Sequence, residues 1–286
     1  MDLSGVGVWS AQLRYGDAQE SAEAAAELED LGFTALWIPD VGGPVFDAVG
    51  HLLRSTKSTV IATGILNLWM HAATDVADSF ASLTAEHGHR FLLGIGVSHA
   101  PLIDSKEPGR YRKPLAATRA FLDELDGTAL PVPPGERVLA ALGPKMLELS
   151  ASRAGGAHPY LVTPEHTAQA REVLGEGPLL LPEQTVILCD GRDAARDIGV
   201  EWLRAYLALP NYANNLLRLG FTPDDLAIVS DRLFDAVIAW GDEDAILRRV
   251  GEHQSAGADH VCVQALDADP GVFPREQWRR IASALT

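Results

Sequence analysis

The sequence predicts an α/β fold of the (β/α)8 TIM-barrel type, and three observations carry that expectation. Eight short apolar runs rich in Val, Ile and Leu are spread over the chain, and at least one helical pattern separates each from the next. Runs that are apolar throughout suit parallel strands buried on both faces. A length of 286 residues gives room for eight such units in one domain spanning residues 1–286. A doubly wound open sheet would show the same alternation with fewer strands.

The units follow in order. VGVWS (Val6 to Ser10) is strand one, followed by a helical stretch with Asp17 and Glu20 spaced as a capping box and Gly32 as its stop. ALWIP (Ala35 to Pro39) is strand two, with FDAVGHLLRS as a short helix behind it. VIATGI is strand three, and a helix runs from about Thr74 to Glu86. FLLGIG is strand four, and after a long loop a helix runs from about Pro114 to Leu125. The Pro-rich DGTALPVPPGE reads as a surface loop before strand five, RVLAAL, whose helix opens at Pro144. HPYLV is strand six, with a helix from Pro164 to Leu174, and QTVILC is strand seven. An expanded helical connection then covers roughly Arg192 to Ser255, broken near Pro210 and Gly220. HVCVQ is strand eight, and PREQWRRIASAL closes the chain as a helix.

Charge narrows the partners. The 23 basic and 39 acidic side chains leave a net charge of −16, which argues against nucleic acid or an anionic membrane. It leaves room for a small anionic ligand, which a few amides and a helix end can hold. Cys189 and Cys262 stand far apart and fit no metal-ligand spacing, so no metal site is expected and a reducing cytoplasm is. No signal peptide and no membrane-length apolar run are legible.

Active sites of such barrels sit at the C-terminal ends of the strands. The residues placed there are Asp40, Gly64 to Asn67, Val97-Ser98-His99, Gly143 to Met146, Thr163 to His166, and Asp190. Few are acids, and neither an HxxxH pair nor a GxSxG elbow occurs, which disfavours metal-dependent and serine hydrolysis. Gly143-Pro144 opens a helix with a residue that has no N–H to satisfy. That leaves either a well-made helix start or an anion site on its backbone amides. Asp40 reads as a cap or as a group facing a ligand. Thr163 reads as the N-cap of helix six with a second role toward substrate open, and His166 and His71 read as surface residues. Trp9, Trp37 and Trp69 read as packing groups, with Trp69 near the mouth.

These stretches, taken in order, resemble the bacterial-luciferase-like superfamily of flavin and deazaflavin oxidoreductases, in its coenzyme F420-dependent branch. LEDLGFTALWIPD is similar to the family's first helix and second strand, ending in an acid that approaches the deazaflavin. VIATGILN resembles its third strand, where a bulge with a non-proline cis peptide, here Gly64-Ile65, supports one face of the ring. RFLLGIGVSHAP resembles the glycine-rich end of its fourth strand, and VLAALGPKMLELSASRAGGAHPYLVTPEH its phosphate-binding fifth strand and sixth unit. ALPNYANNLLRLGF and DHVCVQAL look like an actinobacterial subgroup of unassigned substrate.

The resemblance implies hydride transfer between F420 and a small organic substrate, with Asp40 and His99 catalytic. It implies cofactor contacts at Asp40, Gly64, Ile65, Gly96, Ser98, Leu142, Gly143, Lys145 and Met146, while the positions of Trp69, Thr163 and His166 near the strand ends make them the expected substrate pocket. Members often form homodimers, a point on which the residues themselves are silent. Two departures matter. The sugar-phosphate dehydrogenase of this branch has His directly after the strand-two acid, where this chain has Val41. It also has a Glu after strand four, where this chain has Val97, Ser98 and His99. That enzyme's substrate therefore does not carry over, and His99 is the nearest proton donor. A reduced-FMN monooxygenase on the same barrel is the alternative. A phosphate-binding lyase or isomerase and a non-catalytic cofactor-binding protein stay behind it.

Overall fold

In the computed structural model, which describes Met1 and residues 3–285, eleven strands and fourteen α-helices alternate along the chain. The first half contains β1 (Val6–Trp9), α1 (Gln12–Tyr15), α2 (Ala18–Asp30), β2 (Ala35–Ile38), α3 (Val45–Ser55), β3 (Val60–Thr63), β4 (Leu66–Asn67), α4 (Ala73–His87), β5 (Phe91–Gly96), α5 (Ala100–Lys106) and α6 (Pro114–Asp126). It continues through β6 (Arg137–Leu139), α7 (Pro144–Arg153), β7 (Gly156–Ala157), α8 (Pro164–Leu174), β8 (Leu179–Leu180) and β9 (Glu183–Leu188). The last part is α9 (Arg192–Leu207), α10 (Pro210–Arg218), α11 (Pro223–Ile228), α12 (Asp231–Val237), β10 (Ile238–Gly241), α13 (Glu243–Ser255), β11 (Val261–Ala265) and α14 (Arg275–Leu285).

All pairings are parallel, and they run β9-β11-β1-β2-β3-β5-β6-β7-β8. The two ends of that series, β8 and β9, are separated only by Leu181 and Pro182. Leu181 donates its N–H to Ala157 on one side, and the Pro182 carbonyl accepts from Cys262 on the other. β8 and β9 are thus one interrupted strand, and the sheet closes into a barrel. Pro182 explains the interruption, because it brings no donor to the ladder.

Three expectations are corrected. Strand six is displaced: β7 covers Gly156–Ala157 and not HPYLV. Pro159 cannot donate, and Leu161 sits in the left-handed region at φ 55, which ends regular pairing there. The connection between strands seven and eight is not wholly helical. It contains β10, which pairs with β9 from Ile238 opposite Thr185 to Gly241 opposite Leu188. The loop after strand four also carries the short helix α5.

Every residue of β1, β2, β3 and β5 is buried, which explains their apolar composition. Trp9 and Trp37 pack in one core with Ala35, Ala62 and Leu92. Outside the sheet, Leu28, Leu52, Leu53, Val76 and Phe80 of α2, α3 and α4 pack with Leu36, Ile61 and Phe91. No helix among the described residues is long and apolar enough to cross a membrane.

Candidate active site

The C-terminal strand ends surround a cavity of about 600 Å3. Asp40, Gly64, Ile65, Ser98, His99, Leu142, Gly143 and Met146 all line it, so eight of the expected site residues come together. Gly96, Lys145, Trp69, Thr163 and His166 do not line it.

Asp40 follows β2, and its carboxylate is buried. Oδ2 accepts the Asn67 N–H at 3.1 Å and the His71 Nε2–H at 2.8 Å, and Oδ1 accepts the Gly42 N–H at 3.3 Å. His71, read from the sequence as a surface residue, is in fact the partner of the buried acid. Val41, which directly follows Asp40, faces solvent.

The Gly64–Ile65 peptide is cis, as the resemblance implied. The third barrel strand is broken there: β3 pairs with the start of β5, and β4 pairs with its end, Leu66 opposite Ile95 and Asn67 opposite Gly96. Glycine is required on both sides of this bulge. A Cβ on Gly64 would stand 2.7 Å from Trp9 Nε1, and one on Gly96 would stand 2.7 Å from Ile65 Cδ1 and 2.9 Å from Ala140 Cβ. Gly96 therefore supports Ile65 from behind and does not itself face the cavity. Trp9 completes the bulge by donating Nε1–H to the Gly64 carbonyl at 2.9 Å.

Ser98 adopts a left-handed backbone, φ 52, at the end of β5, and its carbonyl accepts Asn211 Nδ2–H at 3.2 Å. His99 is more than half buried, its Nδ1 has no partner among the described residues, and burial pushes its pKa below 6.5. Burial thus favours the uncharged imidazole, which can accept a proton.

Gly143 is the N-cap of α7, and Pro144 its first residue. The Met146 N–H is already engaged by the Gly143 carbonyl at 3.1 Å. An anion at this helix start would therefore meet the Gly143 and Lys145 amides, with the positive end of the helix dipole behind them. A Cβ on Gly143 would have one neighbour within 4 Å, Arg218 Nη2 at 3.6 Å.

Arg218 belongs to α10, in the expanded connection, and that helix forms a wall of the cavity. Asn211, Asn214 and Arg218, spaced along one helical face, line it together with Tyr212. Arg218 donates to the neutral Asn215 Oδ1 at 3.0 Å, and no carboxylate pairs with it among the described residues. Tyr212 packs beside His99 with ring centroids 5.1 Å apart. Tyr160, Tyr206 and Tyr212 pack as a group, and burial raises all three phenol pKa values. The Tyr160 hydroxyl donates to Gln264 Oε1 at 2.5 Å and lies 3.0 Å from the Tyr206 hydroxyl. Behind them Glu183 is buried, and desolvation raises its carboxyl to about 7.

The three expected substrate-pocket residues serve structure instead. Thr163 caps α8 by accepting the His166 N–H. His166 is buried, contrary to the surface reading, and bonds the Leu142 carbonyl through Nε2 at 2.8 Å. Trp69 donates its Nε1–H to the Val97 carbonyl at 2.8 Å and packs against Tyr111. Trp69 and His166 thus hold the backbone that follows β5 and β6, and Thr163 holds the start of α8.

The sequence model of the luciferase-like monooxygenase family matches residues 3–260. The chain belongs to that family. Membership makes it an oxidoreductase enzyme and agrees with the barrel, the broken third strand and the cavity just described. A protein of Mycobacterium tuberculosis provisionally named a coenzyme F420-dependent oxidoreductase is 24% identical, over 92% of this chain and 94% of its own. Among solved structures, an F420-dependent secondary alcohol dehydrogenase in complex with an F420–acetone adduct superposes over all of both chains with a TM-score of 0.72 at 15% identity. The coenzyme F420-dependent tetrahydromethanopterin reductase of Methanopyrus kandleri gives 0.72 at 16% identity, over 99% of this chain and 98% of its own. The FMN-bound oxygenating constituent of 3,6-diketocamphane monooxygenase of Pseudomonas putida gives 0.69 at 14%, over 98% of this chain and 96% of its own. At these identities the structures attest the fold.

Proposed function

We propose that the chain is a coenzyme F420-dependent oxidoreductase that moves a hydride between the deazaflavin and a small uncharged organic substrate. The observation that carries this reading is the arrangement of one cavity. A mostly apolar chamber sits over the Gly64–Ile65 bulge, and Arg218, with no carboxylate partner among the described residues, stands beside an open helix start at its edge. A flat ring with a phosphate-bearing tail has that shape and charge. The curated relative provisionally named for F420 supports the deazaflavin over FMN.

The residues fit such a group. Gly143, Lys145 and Arg218 would hold the phosphate, and Ile65 with Leu142 and Met146 would hold the ring. When bound, the deazaflavin supplies the hydride-accepting and hydride-donating carbon. The chain supplies orientation, exclusion of water and a place for the proton. His99, whose Nδ1 is unpartnered and whose burial favours the uncharged ring, takes the hydroxyl proton when an alcohol loses its hydride and returns it in the reverse reaction. Asp40 holds the Asn67 segment of the bulge. The aromatic wall of Trp9, Tyr160, Tyr206 and Tyr212 favours a neutral, apolar substrate.

Parallel titration of the purified chain with F420 and with FMN, followed by fluorescence quenching, tests the reading. Binding of F420 at least tenfold tighter than FMN is expected. Tighter FMN binding, with an oxygen atom from O2 incorporated into an organic substrate once FMN is reduced, would establish the monooxygenase instead.

A further inference from the structure

His158 lines the cavity and is only 1% exposed. Its Nδ1 lies 2.7 Å from the Leu181 carbonyl oxygen. A carbonyl only accepts, so Nδ1 carries the ring hydrogen and Nε2 keeps a lone pair. Nε2 has no partner among the described residues. A Cβ on Gly64 would stand 3.1 Å from Nε2, which places the lone pair beside the Gly64–Ile65 bulge. Trp9, the indole donor at the same spot, is committed to the Gly64 carbonyl.

The imidazole is held in this orientation. It stacks on Trp37 with centroids 4.3 Å apart and planes 13° from parallel. The Trp37 Nε1–H donates to His260 Nε2 at 3.3 Å, and His260 Nδ1 donates to the Leu3 carbonyl at 3.1 Å. Burial lowers the His158 pKa to about 4, so the ring stays neutral and the lone pair persists at neutral pH. Buried polar atoms are almost always paired, and an orphan beside a ligand cavity calls for the ligand's own hydrogen.

We propose that His158 is a ligand-binding residue whose Nε2 accepts a hydrogen bond from an N–H or O–H that the ligand brings to the cavity floor. The inference rests on the deazaflavin reading above. Two sources carry that chemistry: the imide N–H of the tricyclic ring, common to F420 and FMN, and the hydroxyl of an alcohol substrate. A phosphate, carboxylate or ketone offers only acceptors and does not match this position.

His158→Phe keeps a flat ring against Trp37 and deletes the lone pair, and His158→Gln keeps an acceptor. The full chain and both variants are titrated with F420, FMN and FMN methylated on the imide nitrogen, with melting temperatures recorded on the same samples. If the imide is the donor, His158→Phe weakens F420 or FMN about tenfold and His158→Gln recovers most of that. Methylation then penalises the native chain and leaves His158→Phe indifferent. If a hydroxyl is the donor, ring affinities match, and cyclohexanol perturbs the bound ring's absorbance in the native chain and in His158→Gln but not in His158→Phe. Equal ring affinities and equal cyclohexanol responses in a normally melting His158→Phe overturn the proposal, as does an equal loss in both variants. Native chain that binds neither F420 nor FMN removes the deazaflavin reading itself, and the inference falls with it.

Discussion

His71 Nε2 lies 2.8 Å from the buried Asp40 carboxylate, across 31 residues of chain. The same oxygen accepts the Asn67 amide, so one acid joins the end of β2 to the segment that follows the cis peptide. Asp40 is therefore a brace for the cavity as well as part of its lining. Asp40→Ala should lower stability by about 1–3 kcal/mol, because it strands buried donors. A double-mutant cycle with His71→Ala should show coupling of at least ~0.5 kcal/mol in denaturant unfolding. Additive losses would mean that the two side chains act independently.

The glycines at the bulge should rank by what a methyl group meets. On Gly94 it would stand 1.9 Å from the Thr63 carbonyl oxygen, rigid backbone that cannot retreat. On Gly64 it would meet the Trp9 indole at 2.7 Å. On Gly96 it would meet Ile65 Cδ1 and Cγ1, both at 2.7 Å, and Ala140 Cβ at 2.9 Å. Gly94→Ala should therefore cost most, above the ~1–3 kcal/mol usual for overpacking, and Gly64→Ala and Gly96→Ala less. Urea midpoints of the three variants check the order.

The barrel was legible because its strands are apolar on both faces and the intervening helices carry clean stops such as Gly32 and Gly88. β10 was not, because Ile238-Ala239-Trp240-Gly241 continues directly from α12 and no turn residue separates the two. The cavity residues on strand ends were legible by position alone, since the fold puts them there. Arg218, Asn211 and Tyr212 were not, because they reach the cavity from a connection whose path no local pattern specifies. His158 and His71 were passed over for a different reason. Their roles depend on a partner distant in sequence, Leu181 for one and Asp40 for the other, and on burial that a single residue letter does not reveal. The one signal available was the i, i+3, i+7 spacing of Asn211, Asn214 and Arg218.

Buried histidines set the acid limit of the fold. Burial lowers His158 and His260 to about 4 and His253 to about 3. The unfolded chain takes up these protons near pH 6.5, while the folded chain resists them, so their contribution is complete above pH 6.5 and is lost as pH falls toward 4. A fall from 6.5 to about 4 or about 3 corresponds to roughly 3–5 kcal/mol per group. Glu183 acts oppositely: raised to about 7, its contribution is complete below pH 4.5 and is lost as pH rises through 7. Three groups outweigh one, so the melting temperature should fall between pH 6.5 and 4.5. Glu183→Gln should steepen that fall by removing the opposing gain. A melting temperature that rises on acidification through this window would contradict the assignment.

The last prediction concerns the edge of the cavity where α7 begins and α10 crosses. Gly143 has an ordinary extended backbone, φ −103, and a Cβ there would touch only the end of Arg218. Gly143→Val should therefore fold with a nearly unchanged melting temperature. Its side chain would occupy the space between the helix start and the guanidinium, where a phosphate must sit to reach the Gly143 and Lys145 amides. Charge-assisted hydrogen bonds contribute ~1.5–3 kcal/mol each, so loss of two corresponds to a ~100-fold or greater drop in affinity for a phosphate-tailed ring. Arg218→Ala leaves the amides open and removes one partner, so a ~10-fold loss is expected, larger at low ionic strength because the side chain is exposed. Lys145→Ala keeps its backbone N–H and should change affinity less than ~3-fold. Riboflavin, which has the ring but no phosphate, separates this from damage to the ring site. The native chain, Gly143→Val and Arg218→Ala should all bind riboflavin alike, while the gain from the phosphate of FMN should be full in the native chain, about tenfold smaller in Arg218→Ala and lost in Gly143→Val. An equal phosphate gain in all three would place the anion elsewhere on the protein.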